Sequence, residues 1–243
     1  MKLVIDIGNT RTKIALYHEG DMTDMLTVED GLYDDLLQFL TDHPGITSAI
    51  LSSVRDVDET IPDLLRRHMR LLMLSDDTPL PFHNKYLTPE TLGRDRIAAA
   101  AAGMHLFPDR DVLVIDAGTC ITYDIITAAG EYLGGAISPG LKMRFEAMHR
   151  FTGKLPLVNP NTDAEIQPIG NTTKGSLLAG GQRALLEEVD GMINRYREAY
   201  PDLTVVVGGG DYKYFDKYLK NNIFAAPNLV LAGLKKILDF NEG

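Results

Sequence analysis

Cysteine is nearly absent: the 243-residue sequence holds one, Cys120, and it has no tryptophan at all. One thiol can neither close an internal disulfide nor build a cysteine-rich zinc site. Positive charge is also short, with 24 lysines and arginines against 34 aspartates and glutamates and a formal net charge of -10. An acidic chain repels nucleic-acid backbones and anionic lipid headgroups unless basic residues are concentrated locally. No such patch occurs, so neither nucleic acid nor a membrane is an expected partner. No apolar run reaches the roughly 18 residues that a membrane helix needs. Met1-Lys2-Leu3-Val4-Ile5-Asp6 leads straight into a strand pattern and lacks a signal-peptide profile, which makes the cytoplasm the expected location. The six histidines (18, 43, 68, 83, 105 and 149) show no metal-ligand spacing and read as structural.

What is present is an ordinary globular composition, 44% hydrophobic and 24% charged. Apolar runs at Leu3–Ile7, Thr12–Tyr17 and Met25–Val28 predict three consecutive strands. The spacing of Leu32, Leu36, Leu37 and Leu40 predicts a helix after them. A strand at Ala49–Ser53, an amphipathic helix through Ile61, Leu64 and Leu65, and a strand at Leu71–Leu74 follow. Residues 76–92 read as a long surface loop. An alanine-rich helix, Arg94–His105, precedes a second strand at Val112–Ile115.

That second strand repeats the first. Val4-Ile5-Asp6-Ile7-Gly8 matches Val114-Ile115-Asp116-Ala117-Gly118, and Thr12 matches Thr122, at a constant offset of 110. Predicted strands at Thr122–Ile126 and Tyr132–Ile137 and a helix at Leu141–Phe151 repeat the element order as well. A duplication is therefore expected, with one domain over residues 1–110 and the other over 111–243. The second half continues with a loop (Lys154–Pro168), a long helix (Thr173–Tyr200), a strand (Leu203–Val207) running into Gly208-Gly209-Gly210-Asp211, and a last helix (Asn228–Phe240) capped by Asn228.

Asp-x-Gly at a strand end brings two chemistries together. The glycine lets a phosphate approach backbone N–H groups, and the aspartate can hold a cation directly or through water. Either motif alone is equally an ordinary hairpin turn with a capping aspartate. The matched pair, facing across a cleft, would make a nucleotide–metal site. No P-loop and no G-x-G-x-x-G fingerprint is present.

Five blocks, in order, resemble the type III pantothenate kinases. Asp6-Ile7-Gly8-Asn9-Thr10-Arg11-Thr12-Lys13 is similar to that family's first phosphate motif. Gly93-Arg94-Asp95-Arg96, with Tyr86 and Pro89-Glu90 before it, resembles its Gly-x-Asp-Arg substrate motif, whose second position is usually small. Asp116-Ala117-Gly118-Thr119 resembles the second phosphate motif, Gly134–Gly140 the glycine-rich strand end, and Gly170-Asn171-Thr172-Thr173 the late substrate motif. The resemblance implies an α/β fold of duplicated ribonuclease H-like domains, shared with actin, Hsp70 and the acetate and sugar kinases. It implies phosphorylation of pantothenate by ATP with Mg²⁺ and K⁺ or NH₄⁺, in a homodimer, as the first step of coenzyme A synthesis. It places residues 6–13 and Thr119 at ATP, Asp6 and Asp116 at metal ions, and Tyr86, Gly93, Arg94, Asp95, Arg96 and Thr173 at pantothenate, with Thr172 the alternative to Thr173. Asp95 would be the catalytic acceptor. The alternatives are a kinase of the same fold acting on another small hydroxy acid or sugar, and a non-catalytic regulator.

Overall fold

The computed structural model describes all 243 residues. The chain opens with β1 (Lys2–Ile7), β2 (Thr12–His18) and β3 (Asp21–Val28), an antiparallel meander. Then come α1 (Leu32–Asp42), β4 (Ser48–Ser53), α2 (Thr60–His68), β5 (Arg70–Met73), the two-residue strand β6 (His83–Asn84) and α3 (Arg94–Leu106). β4 pairs parallel to β1, and β5 parallel to β4, so one sheet runs in the order β3-β2-β1-β4-β5. The central strand is closed off from water: Leu3, Val4 and Ile5 have no exposure. That burial on both faces is why the strand reads as an unbroken apolar run rather than an alternation.

The second sheet repeats this plan. β7 (Val112–Ala117), β8 (Cys120–Ile126) and β9 (Glu131–Pro139) form the meander, followed by α4 (Leu141–Arg150). After a loop come α5 (Thr173–Leu178), α6 (Ala184–Ala199), β10 (Thr204–Gly208), α7 (Tyr212–Tyr218) and β11 (Phe224–Ala225). β10 pairs parallel to β7 and β11 parallel to β10. The order β9-β8-β7-β10-β11 thus copies β3-β2-β1-β4-β5 strand for strand, the duplicated ribonuclease H-like architecture.

α8 (Leu229–Glu242) ends the chain. The expected division at residues 110 and 111 differs from the observed one because of this helix. The two compact units are Met1–Leu106 with Leu229–Gly243, and Phe107–Asn228. The alanines that make α3 look plain in sequence, Ala98–Ala102, are all fully buried, and Gly233 of α8 lies on them so closely that an added Cβ would sit 1.7 Å from the Ala98 carbonyl oxygen. Small residues on both helices let the two backbones touch. Lys2 of β1 then bonds Asp239 of α8 at 2.8 Å. Burial pushes the Asp239 carboxyl up, but hydrogen bonds from Lys2 and Lys235 outweigh it and hold it below the usual range. Asn228, expected as a helix cap, adopts φ 59 and is left-handed rather than the extended backbone of a capping residue.

The long helix expected over Thr173–Tyr200 is interrupted by a π-turn at Ala179–Arg183. Within that turn Gln182 is fully buried and grips the loop before α5: its Oε1 accepts the Asn161 N–H at 2.9 Å and its Nε2 donates to the Asn161 carbonyl at 2.8 Å. The Gln182 carbonyl accepts the Tyr214 hydroxyl at 3.0 Å. The apolar stripe that follows, with Leu185, Val189 and Ile193 buried, belongs to the core of the second unit. Replacing Gln182 by Ala is expected to destabilise the protein by about 1–3 kcal/mol, because it removes a two-bond clamp from a buried position. Urea unfolding measures this, and a loss below about 0.5 kcal/mol would show the clamp to be idle. No helix is long and apolar enough to cross a membrane.

Candidate functional site

Each unit carries one Asp-x-Gly turn at the end of its central strand. In the first unit the Gly8 N–H donates to the Arg11 carbonyl at 3.0 Å, closing a four-residue turn. Asp6 stands opposite Lys13 on one side and Ser52 on the other, and Ile7 stands opposite Thr12 and Ser53. Residues directly opposed across strands share a face. Asp6, Lys13 and Ser52 therefore form one row, whose Ser52 hydroxyl is fully buried without a hydrogen-bond partner. Ile7 and Thr12 belong to the other face, and both are only 2% exposed. Of the residues expected to meet a nucleotide, these two can offer backbone alone. Asn9, Thr10 and Arg11 are exposed at the tip, where Arg11 pairs with Glu29 at 3.2 Å.

The Gly-x-Asp-Arg segment starts α3. The Asp95 Oδ1 accepts the N–H of Arg96 at 2.9 Å, and the Ile97 N–H donates to the Gly93 carbonyl at 3.1 Å. A carboxylate in the first turn also faces the positive end of the helix dipole. Arg96 is buried, with its guanidinium 5.6 Å from the Tyr86 ring centroid, a cation–π contact that joins two of the expected substrate residues. Arg94 reaches across to β4, donating from Nη1 to the Ser53 carbonyl at 3.3 Å.

In the second unit the turn is one residue shorter. The Gly118 N–H donates to the Cys120 carbonyl at 2.9 Å, and the residue opposite Asp116 is Thr122. The Thr12/Thr122 match seen in the sequence is consequently not a structural equivalence: Thr122 takes the place held by Lys13. Its Oγ1 is buried and unpaired. Two further segments close on this turn. The Gly140 N–H, ahead of α4, donates to the Thr119 carbonyl at 3.0 Å, and the Asp211 N–H donates to the Ala117 carbonyl at 3.0 Å. The second contact needs Gly209, which has φ +88 and packs so tightly that an added Cβ would lie 2.3 Å from the Ala117 carbonyl oxygen. Burial pushes the Asp211 carboxyl up from the usual carboxylate range. The motif Gly208–Asp211 thus joins the second phosphate motif at one end of one sheet.

The late motif lies in the same unit, along a cavity of about 720 Å³ lined by Thr172, Thr173, Ser176, Met148 and Leu155. Thr172 is the N-cap of α5, its Oγ1 accepting the Gly175 N–H at 3.0 Å. Its hydroxyl is occupied by a structural task, whereas Thr173, the first helical residue, is exposed on the cavity.

No group of three or more His, Cys, Asp or Glu side chains forms a metal cage. Asp6 and Asp116 nonetheless suit hard cations, which take oxygen ligands and which Mg²⁺ sites share between one or two carboxylates, water and substrate phosphate. The unpaired buried hydroxyls in their rows, Ser52 and Thr122, supply oxygen at both positions. The donor set fits. The sequence carried no signal for Ser52, for the role of Thr122 or for the partner of Arg94, since each depends on strand register or a contact across the fold.

Comparison with known proteins adds the decisive observation. The model of the type III pantothenate kinase family matches residues 2–195. The chain belongs to the type III pantothenate kinase family. A type III pantothenate kinase of Christiangramia forsetii is 43% identical over 243 residues, covering 100% of this chain and 99% of the relative. One of Bacteroides fragilis is 43% identical over 249 residues, with the same coverage. Among solved structures, a Campylobacter jejuni protein described as a candidate transcriptional activator of the Baf family aligns with TM-score 0.64 at 22% identity, covering 99% of this chain and 98% of that one. A ROK family glucokinase of Streptomyces griseus, solved with glucose and AMPPNP, aligns with TM-score 0.52 at 12% identity over 100% and 99% of the two chains. At these identities both support the fold alone.

Proposed function

We propose that this type III pantothenate kinase family member transfers the terminal phosphoryl group of ATP to the primary hydroxyl of pantothenate, giving 4'-phosphopantothenate and ADP, the opening step of coenzyme A synthesis. The observation that carries the reading is full-length identity of 43% to relatives of that name, joined to Asp95 at a helix start in the unit that holds the Asp6 turn.

Phosphoryl transfer asks a protein mainly to align donor and acceptor and to neutralise charge. The backbone of residues 7–12 and the side chains of Asn9, Thr10 and Lys13 bind the phosphates, as does Thr119 in the second unit. Asp6 and Asp116 would hold Mg²⁺ and a monovalent cation, K⁺ or NH₄⁺, which would supply positive charge to the phosphates. Asp95 orients the hydroxyl; as the O–P bond forms, the hydroxyl proton passes to its carboxylate and the bond to ADP breaks. An Asp with an ordinary pKa of about 3.9 is a weak base, which suits a proton that leaves late. Arg96, backed by Tyr86, binds the pantothenate carboxylate through its planar fork. In the late motif the pantothenate contact falls to Thr173, since Thr172 is spent on its helix cap. Exposed Phe151, Leu157 and Ile169 are suited to a homodimer interface, and a monomeric mass in light scattering would remove that part. The cytoplasm is the proposed location, consistent with a single cysteine and no membrane-spanning helix.

ATP turnover is expected to require pantothenate and to rise with K⁺. The rival readings have their own outcomes in the same assay. Transfer to a sugar but not to pantothenate favours the sugar kinases of this fold, and DNA binding without turnover favours a regulator.

A further inference from the structure

We infer that Arg94 is a positioning residue for the transfer step, tying the first turn of α3 to the strand end that bears the nucleotide turn. The inference rests on the reading of Asp95 as the acceptor-side carboxylate and adds a residue to it. The resemblance puts this position at the pantothenate site, but a usually small residue there gives the arginine side chain itself no task.

The geometry does. Arg94 immediately precedes Asp95, and its Nη1 donates to the Ser53 carbonyl, 41 residues earlier, at 3.3 Å. Ser53 is the last residue of β4 and stands opposite Ile7, next to Asp6. The residue after it, Val54, donates its N–H to the Ile7 carbonyl at 3.1 Å. One charge-assisted hydrogen bond therefore links the turn carrying Asp95, through two backbone segments, to the turn carrying Asp6. In the same turn, Asp95 bonds the N–H of the residue after it, and Arg96 lies against the Tyr86 ring. The body of α3 is set by its buried alanines. What Arg94 adds is the placement of its first turn against β4. In-line transfer is sensitive to this, since a misplacement of about 1 Å can cost on the order of 100-fold in rate.

The test compares the full-length wild type with Arg94→Ala and Arg94→Lys, the lysine keeping a donor of similar reach. The alanine variant is expected to lose about tenfold in kcat, with KM for ATP and for pantothenate within about twofold of wild type. Its thermal midpoint should stay within about 2 °C, and the lysine should recover part of the rate. Hydrogen exchange without substrate should quicken in peptides covering residues 93–98 and 52–54 of the alanine variant and return with lysine. A kcat within twofold of wild type overturns the proposal. So does a loss confined to a salt-sensitive KM for ATP, which would make Arg94 a phosphate-binding charge. If the wild type fails to phosphorylate pantothenate, the functional reading falls, while unchanged exchange at these two segments rejects the tether by itself.

Discussion

Asp95→Asn is expected to lower kcat by about 10²- to 10⁴-fold, the usual contribution of a positioned general base, while KM for both substrates moves little. The substitution is a clean probe because the structural task of Asp95 and its proposed chemical one are separable. Its Oδ1 accepts the Arg96 N–H at the start of α3, and an asparagine carbonyl can still do so. What asparagine cannot do is take the proton that leaves the substrate hydroxyl. The fold should survive with only the loss of a charge–dipole term of about 0.3–1 kcal/mol. Steady-state kinetics on saturating ATP and pantothenate checks the claim, and a near-normal kcat would remove Asp95 from the chemistry.

Excess EDTA is expected to abolish turnover, with activity restored by Mg²⁺. The argument is one of charge. The chain is itself at -10, ATP brings several more negative charges, and Asp6 and Asp116 stand at the two turns proposed to receive it. Near the first turn, Arg11 is exposed and paired with Glu29, and Lys13 stands opposite Asp6. Arg94 is turned to the Ser53 carbonyl. Cations from solution must make up the difference. Mg²⁺ sites commonly share one or two carboxylates with substrate phosphates, so the divalent ion is expected to arrive with the nucleotide and to bind weakly without it. Full turnover in EDTA would falsify this role for metal.

Much of this was readable from local pattern. Short apolar runs and Asp-x-Gly turns depend on a few neighbouring residues, so β1–β2 and β7–β8 could be located, and their repetition foretold two copies of one fold. Asp6, Asp95 and Asp116, the carboxylates proposed for the site, could be singled out for the same reason, each lying inside a short contiguous motif. The helix over Thr173–Tyr200 was equally visible, but not the π-turn that interrupts it. Local preference did not reveal that Gln182 would clamp Asn161, a residue 21 positions away.

The amino-acid sequence by itself determined the repeated element order and the candidate acidic groups, because these follow from short apolar runs and from glycine and aspartate at set spacings, and its five motif blocks carried the resemblance to the family. Tertiary structure alone decided that α8 joins the first unit, that Thr122 rather than a lysine stands opposite Asp116, that Thr172 caps a helix while Thr173 faces the cavity, and that Arg94 bonds Ser53. Each of these turns on a one-residue change of register or a contact between distant segments, and such pairings are set by what the whole core can pack, not by the residues beside them in the chain.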